Sequence, residues 1–149
     1  MKSKNTKIIV DIFMAVFLIL SFVRWDNSNF AFHAIVGLGC TVFFVIHVFI
    51  HKRWLKATTK SCFAGKLSRA LRGKYIIDIS LLIVWSASIV AGFIAIAPFF
   101  GEAHGGFLWG RLHGITARIA LAFVIIHIVQ HIPQIKSYLG IKRQAKGVN

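Results

Sequence analysis

The chain has 149 residues, 57% of them hydrophobic, and a mean hydropathy of +0.74, which is more apolar than a soluble domain of this size. Lys and Arg number 18 against 4 acids, a formal charge of +14, and such a balance raises nucleic-acid binding as a reading. The cations cluster at the ends of long apolar stretches, which excludes nucleic acid as the partner and points to a lipid bilayer.

In chain order, the first apolar stretch covers 8–23, behind Lys2, Lys4 and Lys7. It has the basic start of a secretory signal but no small-x-small cleavage site, so it is expected to remain as a helix. Asp11 and Asp78, near the starts of the first and third stretches, read as structural acids that suit a positive helix end. The second stretch, 30–50, contains His33, Cys40 and His47, with His51 just beyond it. A segment over 52–74 follows, carrying Lys52, Arg53, Lys56, Lys60, Lys66, Arg69, Arg72 and Lys74. It reads as a loop whose part over 61–73 forms a basic amphipathic turn, lying on the membrane surface or docking a redox partner.

The third stretch covers 75–100 and the fourth 112–132, each long enough to cross a hydrocarbon core. Between them lies a segment rich in Gly and aromatics, with His104, Phe107 and Trp109, where interface anchoring and a partner or quinone contact are both open readings. His104 reads as a surface residue. Cys40 in mid-membrane and Cys62 in the basic segment are expected to be too far apart for a disulfide. The opposite loops hold only Arg24 and Arg111 as cations, beside Asp26 and Glu102. Positive-inside bias therefore predicts that both termini lie in the cytoplasm. The expected fold is all-α: an integral membrane four-helix bundle, one domain over 1–149, built from two tandem helical hairpins.

An internal duplication underlies that expectation. Lys7-Ile8-Ile9-Val10-Asp11 resembles Lys74-Tyr75-Ile76-Ile77-Asp78. His33, His47 and His51 recur in spacing as His113, His127 and His131, fourteen residues and then four in both copies. The flanks match too, Val45-Ile46-His47-Val48 against Ile125-Ile126-His127-Ile128. Two copies of a hairpin enter the membrane in the same sense, so the second and fourth helices are expected to run parallel. His33 then shares a level with His113 near the outer surface, and His47 shares one with His127 nearer the cytoplasm.

Fourteen helical residues rise about 21 Å and complete four turns at about 3.5 residues per turn, so both levels return to one face. Iron in a b-type heme takes one axial imidazole from each side, and four histidines serve two irons. Gly37, Gly39, Cys40, Gly114, Ala117 and Ala120 are small enough to let a macrocycle approach the backbone between the levels. Single membrane histidines are as often packing residues as ligands, but two pairs at equal depths make a ligand role the stronger reading. Zinc or copper also suits imidazole, although no carboxylate or thiolate is evident beside the four in sequence.

This pattern resembles the four-helix heme core of the respiratory cytochrome b superfamily, in which parallel helices carry two histidines each. His33, His47, His113 and His127 match its ligand positions. The whole chain is also similar to a small bacterial family of four-helix membrane proteins in which His or Asn precedes a basic-aromatic run, here His51-Lys52-Arg53-Trp54. The chain departs from the large respiratory subunit in lacking its later helices and the Pro-Glu-Trp-Tyr motif of quinol oxidation. The resemblance implies two hemes b and electron transfer across the bilayer between a quinone pool and redox partner proteins or subunits.

The other polar residues have two readings each. His51 and His131 are candidate alternative ligands or quinone contacts, and equally candidate interfacial histidines. Arg118, five residues or so into the fourth stretch, is expected to face the bundle or a polar cavity. Arg24, Arg111 and Arg118 are candidate propionate partners or plain interfacial anchors. No nucleophile–base arrangement or phosphate-binding loop appears, so no catalytic residue is assigned and an electron-transfer subunit fits better than a stand-alone enzyme. The rival classes are a non-heme zinc or copper transporter or sensor on the same histidines, and a structural membrane anchor for a redox complex.

Overall fold

A computed structural model describes residues 4–23, 30–96 and 106–138 of the chain. Among them are four α-helices and no strand: α1 (Lys4–Phe22), α2 (Phe30–Phe63), α3 (Arg69–Ile96) and α4 (Gly106–Tyr138). Each is long and apolar enough to cross a membrane, as expected of a multi-pass membrane protein. The chain divides into two compact units, Met1–Lys60 and Ser61–Asn149.

In the first unit, α1 and α2 meet through their side chains in descending order along α2. Asp11 meets His47, Phe13 stacks on Phe43 with centroids 5.2 Å apart, and Phe17 lies against Phe43 and Gly39. That order makes the two helices antiparallel. In the second unit α3 and α4 pack together, with Asp78 against His127 and both Ser88 and Gly92 against His113, again antiparallel. The buried apolar residues are small or medium, namely Val10, Val36, Cys40, Ala91 and Ala120, while Ile35, Ile83 and Ile125 are among many large side chains left exposed. Small residues at helix contacts and large ones outside is the pattern of helices solvated by lipid.

The helices run further than the apolar stretches. α2 continues thirteen residues past Ile50 to Phe63, so 52–63, expected as loop, is helical. α3 starts at Arg69 rather than at 75, and α4 covers Gly106–Tyr138 rather than 112–132. Hydropathy marks the thickness of the apolar slab, whereas Ala, Leu, Lys and Arg sustain a helix in water as well. α4 also passes through Pro133; near a helix end that residue forfeits one backbone hydrogen bond.

The α2–α3 junction is short because both ends are capped. Lys66 N–H donates to the Ser61 carbonyl and Gly65 N–H to the Cys62 carbonyl, both at 3.0 Å. This paired pattern is a Schellman turn, and it needs the left-handed residue that Gly65 supplies at φ +67°. Ser68 then caps α3, its Oγ 3.4 Å from the Leu71 N–H. Cys40 and Cys62 are both free thiols.

Gly39 was expected to leave room beside the backbone, but Phe17 fills that room: a Cβ there would stand 2.6 Å from the ring. Alanine at Gly39 must push Phe17 off Phe43, and is expected to destabilise the first unit by about 1–3 kcal/mol. Alanine at Gly37, where nothing lies within 4 Å, serves as the neutral control in thermal unfolding in detergent.

Candidate functional site

The duplicated histidines lie on α2 and α4, and the duplicated acids lie on α1 and α3 directly across from them. His47 Nδ1 is 2.7 Å from Asp11 Oδ1, and His127 Nδ1 is 2.7 Å from Asp78 Oδ1. One turn further on, the His51 ring lies 4.7 Å from the His47 ring, and the His131 ring 4.5 Å from the His127 ring. Each unit therefore carries one Asp–His–His cluster with ligand-type atoms within 4.8 Å of one another, Asp11/His47/His51 and Asp78/His127/His131. The sequence repeat is also a repeat of side-chain geometry.

The assignment of Asp11 and Asp78 as helix-start acids is corrected by this geometry. Neither α1 nor α3 has an acid in its first turn, and the dipole effect fades beyond that turn. Both carboxylates are instead partners of imidazole. The repeat held the signal that could have found them, since acid and histidine were copied together.

The tautomers follow from the acceptors. A carboxylate oxygen can only accept, so in each pair it is Nδ1–H that donates, which leaves Nε2 with the free lone pair of a neutral ring. His113 sets the same ring nitrogen against an oxygen by another route. Its Nδ1 lies 2.9 Å from the Ser88 carbonyl and 3.3 Å from Ser88 Oγ, and the carbonyl again requires Nδ1 to donate. The approach depends on Gly92, where a Cβ would meet His113 Nδ1 at 3.0 Å. His33 is half-buried in the first turn of α2.

His131 differs from His127. Its Nε2 is directed at Asp78, 3.7 Å from Oδ2, and is buried. Asp78 thus gathers two imidazoles, one through Nδ1 and one toward Nε2. Its side chain is 9% exposed against 45% for Asp11, so the second carboxylate is the more enclosed by its own unit.

The arginines lie apart from these clusters. Arg111 and Arg118 are exposed on α4 and line an open groove with Phe107, Gly110, Gly114 and Ile115; Arg111 lies over the Phe107 ring at 5.7 Å. Arg24 and His104 fall outside the described residues, as do Asp26 and Glu102.

The chain matches no family model, no curated protein and no solved structure. What it is thus rests on its own features: an all-helical chain with four helices apolar enough to span a membrane and a duplicated His/Asp grouping capable of holding metal.

Proposed function

We propose that the protein is a membrane-bound b-type cytochrome that carries electrons across the bilayer between a quinone pool and redox partner proteins. Its ligands would be His33 with His113 for an outer heme and His47 with His127 for an inner one. The pairing is set by the repeat, and the proposed setting is a bacterial inner membrane with both termini in the cytoplasm.

One observation carries this reading: at His47 and His127, Nδ1–H is engaged by a carboxylate oxygen, which directs Nε2 to serve as the ligand atom. Metal-bound imidazole takes this form, one nitrogen on the metal and the other fixed by a hydrogen bond that sets ring orientation. Gly37 and Gly114, one turn from His33 and adjacent to His113, have nothing within 4 Å of an added Cβ and give a planar group access to the backbone. His131 fits less well than His127 because its Nε2 already faces Asp78.

Heme, when bound, supplies one-electron chemistry at each iron. The chain's own residues orient the imidazoles: Asp11 and Asp78 hold His47 and His127, and the Ser88 carbonyl holds His113, each through Nδ1–H. Arg111 and Arg118 offer cations for propionates at the level of His113.

The Asp–His–His clusters favour a second reading, in which each binds a non-heme divalent ion such as zinc. The 2.7 Å Nδ1–H···carboxylate hydrogen bonds occupy Nδ1, so His47 and His127 would have to take such an ion through Nε2, with Asp11 and Asp78 orienting the rings through those bonds. Protein purified from membranes, scanned reduced-minus-oxidised and assayed for metals, decides between them. Two hemes per chain with a bis-imidazole spectrum are expected. Zinc or copper without heme would establish the second reading, and neither would leave a structural anchor.

A further inference from the structure

α2 does not stop where its apolar stretch stops. It continues unbroken from Ile50 to Phe63, and its cations in that part are Lys52, Arg53, Lys56 and Lys60, all of them exposed. With 3.6 residues per turn they fall within about 100° of one another around the axis, so they form one stripe along one face. Lys52 lies over the Phe49 ring at 3.6 Å. Among the described residues no carboxylate meets any of the four, since Asp11 and Asp78 are engaged by His47 and His127. The chain has no acid at all between Asp26 and Asp78.

Topology asks for less than this. Positive-inside bias counts Lys and Arg near a span whatever face they occupy, whereas these share one exposed face of a helix that carries them away from the apolar stretch. Where 30–50 crosses the hydrocarbon core, Lys60 lies ten residues further on, about 15 Å along the axis. A helix tilt of about 40° still leaves it about 11 Å out, while the headgroup layer on each side is about 5–8 Å thick. Headgroup phosphates lie in a plane that the stripe crosses, so a lipid surface meets only its near end, at Lys52 and Arg53. A second copy of the same face would bring like charges together and be repelled.

We propose that the outer part of this stripe, Lys56 and Lys60 with Arg53, docks an acidic face of a soluble protein on that side of the membrane. Exposed charges of one sign on a regular helix draw such a partner from solution and set its approach without a pocket. The inference stands apart from the heme assignment, and its failure leaves that assignment as it was.

The test uses the full-length protein in nanodiscs of phosphatidylcholine, a neutral lipid, with fluorescent poly-glutamate as the acidic probe. Anisotropy is expected to show binding that is lost in 1 M salt, where charges are screened within about 3 Å. Lys60→Glu is expected to weaken binding about tenfold, and Lys136→Glu, at an equally exposed cation in the last turn of α4, to leave it near the wild-type value. Equal losses in the two variants, or no binding to the wild type, overturn the proposal. Lysine acylation read by mass spectrometry needs no variant: the probe is expected to slow labelling of Lys56 and Lys60 about fivefold and to leave Lys136 unchanged. With phosphatidylglycerol in the nanodisc and no probe, Lys60 is expected to stay as reactive as in neutral lipid. Protection of Lys60 by that anionic lipid alone would assign the stripe to the membrane surface instead.

Discussion

On the proposed cytochrome reading, alanine at His127 is expected to remove one of two hemes and to loosen the α3–α4 pair, whereas alanine at His131, one turn on, is expected to remove neither. His127 presents Nε2 while Asp78 holds its Nδ1 at 2.7 Å; His131 turns its Nε2 toward that same carboxylate. The first substitution takes away both the proposed iron ligand and the hydrogen-bond donor to a carboxylate that is 9% exposed. Breaking a buried pair by removing one partner destabilises by about 3 kcal/mol. Pyridine hemochrome content together with thermal unfolding in detergent reads both effects. Equal heme loss in the two variants would contradict the assignment of His127 over His131.

Valine at Gly92 should act at a distance on the outer level. Even a single added carbon would stand 3.0 Å from His113 Nδ1 and 3.2 Å from Cε1, and the two further methyl groups of valine leave the ring no place beside α3. His113 must then swing away from the Ser88 carbonyl, losing the bond that fixes its tautomer. On the same reading the expected results are loss of the heme proposed at His113, retention of the other, and about 1–3 kcal/mol of destabilisation from overpacking. The same substitution at Gly73, where nothing lies within 4 Å, controls for the helix propensity of valine. Pyridine hemochrome content should fall by half in the first variant and stay at the wild-type level in the second.

Much of this architecture could be read from residues alone, because membrane thickness writes itself into hydropathy. Four apolar stretches became four helices, and the copied spacing of His33, His47 and His51 led to the equivalent positions on α4. Helix ends were less legible: Lys52 to Phe63 reads as a polar segment, yet nothing in it breaks a helix before Gly65. Contacts across a hairpin were the least legible, since they depend on the register of two antiparallel helices. That register sets Asp11 against His47 and Phe17 against Gly39, and it is fixed by side-chain packing that no single-helix pattern records. Gly39 and Gly37 look alike in sequence, and only the position of Phe17 tells them apart.

The length of α2 has a mechanical consequence. His47 and Lys60 belong to one uninterrupted helix, and over thirteen residues an α-helix behaves as a stiff strut about 20 Å long. A push on its basic tip is therefore not absorbed locally but tilts the segment that holds His47 against Asp11. Whatever grips the tip gains leverage on the orientation of that ring.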